Sequence, residues 1–353
     1  MRKVILVFGL IFLHHLVKSQ SPQLKEIWKL YDKKKYDEVI EKGEKLLEKS
    51  PGHIEYNFWV GRAYFKKEKV KEAKPFLEKA SMHNDPHSTI KARANYYLGV
   101  CYFLEDEKEK AKQVLNEGKA IYTYKNYTEA NEYWIEKLGF DDFYNNWSRF
   151  ETQHFRFYFQ DTTDINHKRF INDCEKAFVN IDTFFASKLP KKIDYYVWSS
   201  HVDARNVIKH DLSFAHTELC LIHGGNYESE GHEIAHIVSY FSNEKVKKMA
   251  FVSEGTAVYF DQTNLDREQW IKGVIKGYKI KKVDIKDLWK NWYNYPSKYS
   301  YSIAGLFIEN VIKKYGQEKY LEFYTDHSYK HAQQVFGKDF ESFIKEFEAK
   351  YNR

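Results

Sequence analysis

Two periods of apolar and polar positions divide the chain. From Leu24 to about Ala120 apolar residues recur at three- and four-residue spacing among strong helix formers, with few breakers. That is the pattern of helices that each bury one face. From Thr152 the period changes. His154-Phe155-Arg156-Phe157-Tyr158-Phe159 alternates and predicts a strand, Lys168 to Leu189 a helix, and Ile193 to Trp198 a second strand. Leu219-Cys220-Leu221-Ile222, closing at Gly224-Gly225, predicts a third strand. Its position is open: a sheet edge, along which an extended peptide can hydrogen-bond, or the sheet interior. After Glu254 the pattern is helical again. The segment from Lys298 predicts a helix that stops near Tyr315-Gly316, and Phe340, Phe343 and Phe347 share one helix face for a core.

Within the first region a repeat is visible. Gly61, Tyr64, Ala73, Leu77 and Ala80 recur as Gly99, Tyr102, Ala111, Leu115 and Gly118 at a shift of 38, and Leu30, Tyr36, Val39, Leu46 and Pro51 form a weaker copy 34 residues before the middle one. A small residue, a large one three later and alanine nine further on suit two closely crossing helices. Residues 20–120 therefore resemble tetratricopeptide repeats, with four extra residues around Asp85-Pro86-His87-Ser88. An ordinary helical bundle is the competing reading. Residues 121–148 carry Tyr122, Tyr124, Tyr127, Tyr133, Trp134 and Trp147 among others. So much apolar surface does not suit a flexible linker, and the stretch reads as a short helical bridge.

Composition refines this picture. Of 353 residues, 43% are hydrophobic and 30% charged, a globular balance with length for two or three domains. The net charge of +6 is spread over Lys/Glu helices rather than gathered in a stripe, which argues against nucleic acid as a partner. At the N-terminus Arg2 and Lys3 precede an apolar run from Val4 to Leu13. Ten residues are too few for a bilayer of about 30 Å but fit the core of a signal peptide, and Val17 and Ser19 suit cleavage after residue 19. The expectation is export, to the periplasm, the cell surface or the medium, with no membrane span after cleavage; an uncleaved anchor is the alternative. Cys101, Cys174 and Cys220 are odd in number, form no metal spacing and sit in apolar contexts, as buried thiols do.

The candidate chemistry lies at Gly231-His232-Glu233-Ile234-Ala235-His236 and at Phe251-Val252-Ser253-Glu254-Gly255-Thr256-Ala257-Val258-Tyr259. On a helix His232 and His236 leave one face, where two imidazoles can hold one Zn²⁺. Glu233 stands where a carboxylate reaches a water at such a metal. Glu254, eighteen residues after His236, supplies a third ligand from a second helix, and the small Gly255 and Ala257 suit close packing of that helix on the first. The bland alternative is a surface helix that carries two histidines by composition.

This constellation resembles the gluzincin metallopeptidases, and Ser-Glu-Gly-Thr-Ala-Val-Tyr looks most like the Peptidase MA-like group, over roughly residues 150–350. The resemblance implies an α+β zincin-like domain over 149–353, with a mixed sheet, an active-site helix and a helical C-terminal subdomain. It implies His232, His236 and Glu254 as ligands of one catalytic zinc ion and Glu233 as general base. In the aminopeptidase branch an oxyanion-binding tyrosine precedes a helix-closing glycine by fifteen residues. Tyr301 and Gly316 reproduce that offset, with Tyr299 in reserve. The Gly-x-Met-Glu-Asn segment of that branch has no counterpart, which favours endopeptidase over aminopeptidase. The expected partners are a peptide or protein substrate and a protein on the helical repeats. A peptidase-like scaffold without turnover is the alternative function.

Overall fold

The computed structural model describes residues 21–82, 88–121, 125–163, 166–210, 213–225, 229–242, 248–261 and 266–352. The expected signal peptide at 1–19 and the insertion at 85–87 lie outside the described residues. The chain divides into two compact units, Met1–Asn145 and Asn146–Arg353.

The first unit is a row of helices: α1 (Pro22–Asp32), α2 (Tyr36–Lys49), α3 (Ile54–Lys66), α4 (Val70–Ser81), α5 (Thr89–Leu104), α6 (Lys108–Ala120) and α7 (Lys125–Lys137). Sequence neighbours pack on one another, and α1, α3, α5 and α7 lie side by side. The repeated residues mark the crossings. A Cβ on Gly61 would stand 2.8 Å from Leu77 Cγ, and one on Gly99 2.5 Å from Leu115 Cγ. The repeated tyrosines make equivalent bonds. Tyr64 Oη donates to Glu44 and Tyr102 Oη to Glu78, each at 2.7 Å. Ser88 caps α5 by accepting from the Lys91 amide. Of the expected bridge, α7 packs on α5 and α6 within this unit, while Trp147 belongs to the second.

The second unit opens with β1 (Ser148–Glu151), β2 (Phe155–Phe159), α8 (His167–Phe185), β3 (Ile193–Trp198), α9 (His201–Val207), β4 (Phe214–His216) and β5 (Leu221–Gly225). The sheet order is β1-β2-β3-β5-β4, with β2, β3 and β5 parallel and the two outer strands antiparallel to their neighbours. So the strand ending at Gly224-Gly225 is interior, paired on both sides, and the edge falls to β4. Alternate positions of the strands (Phe155, Phe157, Phe159, then Ile193, Tyr195, Val197) enter one core with Phe170, Cys174 and Ile181 of α8.

The remaining elements are α10 (His232–Ser242), α11 (Ala250–Phe260), α12 (Arg267–Gly277), α13 (Ile285–Lys290), α14 (Ser297–Phe323), α15 (Tyr329–Phe336) and α16 (Phe340–Ala349). α14 breaks at Gly316, whose φ of 83° suits a residue without Cβ. Phe340, Phe343 and Phe347 are buried together, as their spacing predicts. The three cysteines are buried and none forms a disulfide. No described helix is long and apolar enough to cross a membrane.

Candidate metal centre

Helix α10 carries two of the three candidate ligands, and its start is fixed by backbone geometry. Gly231, immediately before His232, has φ of 124°, and a Cβ there would stand 2.5 Å from the Phe260 carbonyl oxygen. Only glycine fits both conditions. Its own carbonyl accepts the Ala235 amide at 2.8 Å, the first helical bond. Ile234, Ala235, Ile237 and Val238 are buried and pack in the core with α8. That anchoring turns His232, Glu233 and His236, all only partly buried, to the opposite side.

Helix α11 brings Glu254, and its two ends are held by residues distant in sequence. At the start the Met249 amide donates to Nδ1 of His327 at 3.2 Å. Burial, followed by the charge of Lys248, pushes the His327 imidazole down to about 3, so the ring is neutral and free to accept. At the end the Arg267 guanidinium donates to the carbonyls of Val258 (2.8 Å) and Tyr259 (3.1 Å) and pairs with Glu309 of α14 at 3.1 Å. This is a favourable place for a cation. Gly255 of α11, expected from the sequence to pack on α10, meets α14 instead. A Cβ on Gly255 would stand 2.9 Å from the Ala304 carbonyl oxygen, and one on Gly305 2.2 Å from Val258 Cγ1. Thr256 and Tyr320 hydroxyls bond at 2.6 Å, and Tyr324 donates to Ser239 of α10 at 3.0 Å.

The three side chains converge. Glu254 Oε2 lies 3.4 Å from His232 Nε2 and 3.3 Å from His236 Nε2, and the three ligand atoms lie within 4.8 Å of one another. A tetrahedral ion with arms of roughly 2.05 Å has ligand–ligand edges of about 3.3 Å, so both measured edges fit zinc. The donor set, two imidazoles and one carboxylate, fits it as well. The side chains are 16–23% exposed, shielded yet reachable. Among the described residues no other His, Cys, Asp and Glu side chains form such a group. Burial alone would raise the Glu254 carboxyl, but the charges and hydrogen bonds of His236 and His232 hold it well below the usual carboxylate range.

Of the two tyrosines named from the sequence, the structure brings Tyr301 to the group. Its ring lies along that of His232 with centroids 5.9 Å apart. Burial first, then the charge of Glu254 and a hydrogen bond to it, raise the phenol above its ordinary value, and Glu233 adds to the effect. Tyr299 is buried elsewhere, beside Tyr295, with Asp284 and Glu348 as the carboxylates that act on it. Trp292, not singled out from the sequence, lies against the Tyr301 ring at 5.3 Å. His327 was also missed. Neither carries a spacing signal, since each reaches the site across long sequence separations. The edge strand β4 packs against α10. A scan against models of known protein families gives no match, and no curated protein is similar enough to this chain to match.

Proposed function

We propose that this chain is an exported zinc metallopeptidase of gluzincin type, with a zincin-like unit at 146–353 and tetratricopeptide-like helices before it. The observation that carries the reading is the pair of 3.3 and 3.4 Å edges between Glu254 and the two imidazoles, beside a glutamate that no ligand position requires. His232, His236 and Glu254 would hold one zinc ion. Bound there, zinc supplies an electrophile that brings the pKa of water from about 15.7 towards 7.

The chain's own residues do the rest. Glu233, next to the first imidazole, takes the proton of the attacking water and returns it to the leaving amine. The Tyr301 hydroxyl donates to the carbonyl oxygen as that oxygen gains charge, an interaction worth roughly 3–4 kcal/mol. Strand β4, at the sheet edge and packed on α10, offers backbone groups along which an extended peptide aligns. Alignment by backbone, together with the lack of a Gly-x-Met-Glu-Asn segment in the sequence, favours endopeptidase cleavage.

Purified protein is reconstituted with zinc, its metal content measured, and cleavage of a broad peptide mixture followed by mass spectrometry. Expected are one zinc per chain, internal cleavage, and loss of cleavage with retained zinc in Glu233→Gln. Substoichiometric zinc sinks the proposal. Stoichiometric zinc with equal inertness of wild type and Glu233→Gln transfers the reading to a metal-binding scaffold for a protein or peptide partner.

A further inference from the structure

Charge is spread along most of the chain, with one exception in the second unit. From residue 269 to 283 it carries Lys272, Lys276, Lys279, Lys281 and Lys282 and no acidic residue. Lys282 pairs with Asp284 at 3.3 Å. The other four are exposed and pair with no carboxylate among the described residues. Lys272 and Lys276 adjoin, in sequence, the two glycines of a groove of about 300 Å³ lined by Trp270, Gly273, Val274, Gly277, Tyr278 and Lys298. Packing does not explain these glycines. Gly255 and Gly305 are pressed by a neighbouring helix, whereas a Cβ on Gly273 or Gly277 would meet nothing within 4 Å. Glycine weakens a helix relative to alanine, so what it provides here is open space.

Trp270 and Tyr278 are 41% and 45% exposed, aromatic surface that folding leaves uncovered. The indole is nonetheless held. Its Nε1 donates to Ser302 Oγ at 3.1 Å, and that hydroxyl donates to the Lys298 carbonyl at 2.7 Å. The Lys298 ammonium lies 4.5 Å from the ring centroid. Ser302 follows Tyr301, whose ring lies along His232. The groove and the metal centre therefore share the first two turns of α14.

We propose that this groove seats an acidic segment of the peptide that the metal centre cleaves, with a carboxylate on Lys298 and its aliphatic stem against Trp270. The assignment rests on the peptidase reading of that centre. The unpaired lysines give the surface a charge complementary to such a segment. Exposed cations bind weakly one by one, and the recess supplies the shape that they lack. An anionic lipid surface fits less well. It takes up a projecting apolar face, and here the aromatic residues border a hollow that contains Val274, 6% exposed.

The test is calorimetric titration of the zinc-loaded Glu233→Gln chain with an N-acetylated, C-terminally amidated peptide of alternating glutamate and alanine, and with its glutamine copy. Expected is saturable binding of the acidic peptide, about tenfold tighter than that of the copy and weakened about tenfold by K298Q or by G273L. G273L keeps every charge and adds a side chain in open space on a helix, so circular dichroism should be unchanged and its lost binding reports the recess. Equal binding of the two peptides, no binding, or full binding by K298Q or G273L overturns the proposal. Sedimentation of the chain with phosphatidylglycerol vesicles, in place of peptide binding, overturns it in favour of a lipid surface. In the wild type, sites flanked by acidic residues should be cleaved with higher kcat/KM than neutral ones, and K298Q should remove that preference. Cleavage without acidic preference refutes the groove alone. Binding without any cleavage refutes the peptidase reading and leaves an acidic-peptide site.

Discussion

Gly305→Ala tests how α14 serves the proposed metal centre. The new Cβ would stand 2.2 Å from Val258 Cγ1 and 2.8 Å from Val258 Cβ, against an ordinary carbon–carbon contact of about 3.5–4.0 Å. Rotating Val258 relieves little. Its χ1 is restricted in a helix, and rotation leaves Cβ where it is. The helices must therefore separate by roughly 1 Å, an overpacking that costs about 1–3 kcal/mol. Replacing glycine inside a helix returns about 0.5–1 kcal/mol. The net loss lowers Tm by roughly 2–6 °C for a unit of this size. Function falls further than stability, because Tyr301 sits one helical turn before Gly305 and moves with α14. A displacement of about 1 Å at a positioned group costs on the order of 10²-fold in rate. Zinc content is expected to stay at the wild-type level, since all three proposed ligands belong to α10 and α11. Thermal denaturation, metal analysis and cleavage rates are measured on wild type, Gly305→Ala, Val258→Ala and the double variant. Val258→Ala removes the 2.2 Å contact and leaves the 2.8 Å one, so the double variant recovers part of both losses. A Gly305→Ala protein as stable as wild type refutes the packing argument. One that loses zinc along with cleavage refutes the separation of roles between α11 and α14.

Three further outcomes follow from the same contacts. Gly231→Ala places a Cβ 2.5 Å from the Phe260 oxygen at φ of 124° and is expected to cost at least about 2 kcal/mol, with weaker zinc binding because His232 is the next residue; denaturant titration and metal competition read both. Tyr301→Phe is expected to keep zinc and lower kcat on the order of 10²–10³-fold, and a variant with wild-type kcat removes Tyr301 from the reaction. His327 titrates near 6.5 when unfolded and near 3 when folded, chiefly through burial and then Lys248, with Asp326 acting in the opposite direction. The unfolded chain binds the proton first, so this contribution is complete above pH 6.5. It declines by about 1.4 kcal/mol per pH unit as pH falls towards 3. Urea unfolding at pH 6.5 and 5 should show wild type losing about 2 kcal/mol more stability over that interval than His327→Asn, and equal losses dismiss the buried neutral ring.

What the sequence made legible was local, and where it misled, the cause was a local exception. Strand β3 occupies the expected residues because a short run rich in aromatic and β-branched residues, bounded by Pro190 and Ser199-Ser200, suits a strand buried on both faces. Helix α8 ends at Phe185, four residues before the expected Leu189, because Ala186 takes a left-handed φ of 50° and the Ser187 amide turns to the Asp182 carboxylate at 2.9 Å. No glycine marks that stop. Cys220 does the same at φ of 48°, so β5 begins at Leu221 rather than Leu219, and the three residues of β4 are too few to show a period. The site divides along the same line. His232, Glu233 and His236 are readable because one helical turn converts spacing into a shared face. Glu254 is readable as a residue, but its placement depends on contacts that spacing cannot encode. His327 holds the first turn of α11 from 78 residues away. Arg267 holds the last turn, and Gly255 and Gly305 set the distance to α14. Expecting Gly255 to pack on α10 was reasonable from adjacency alone. Its close neighbour on α14 links the ligand-bearing helix to the helix that carries Tyr301, so the third ligand and the oxyanion donor of the proposed reaction share one packing contact.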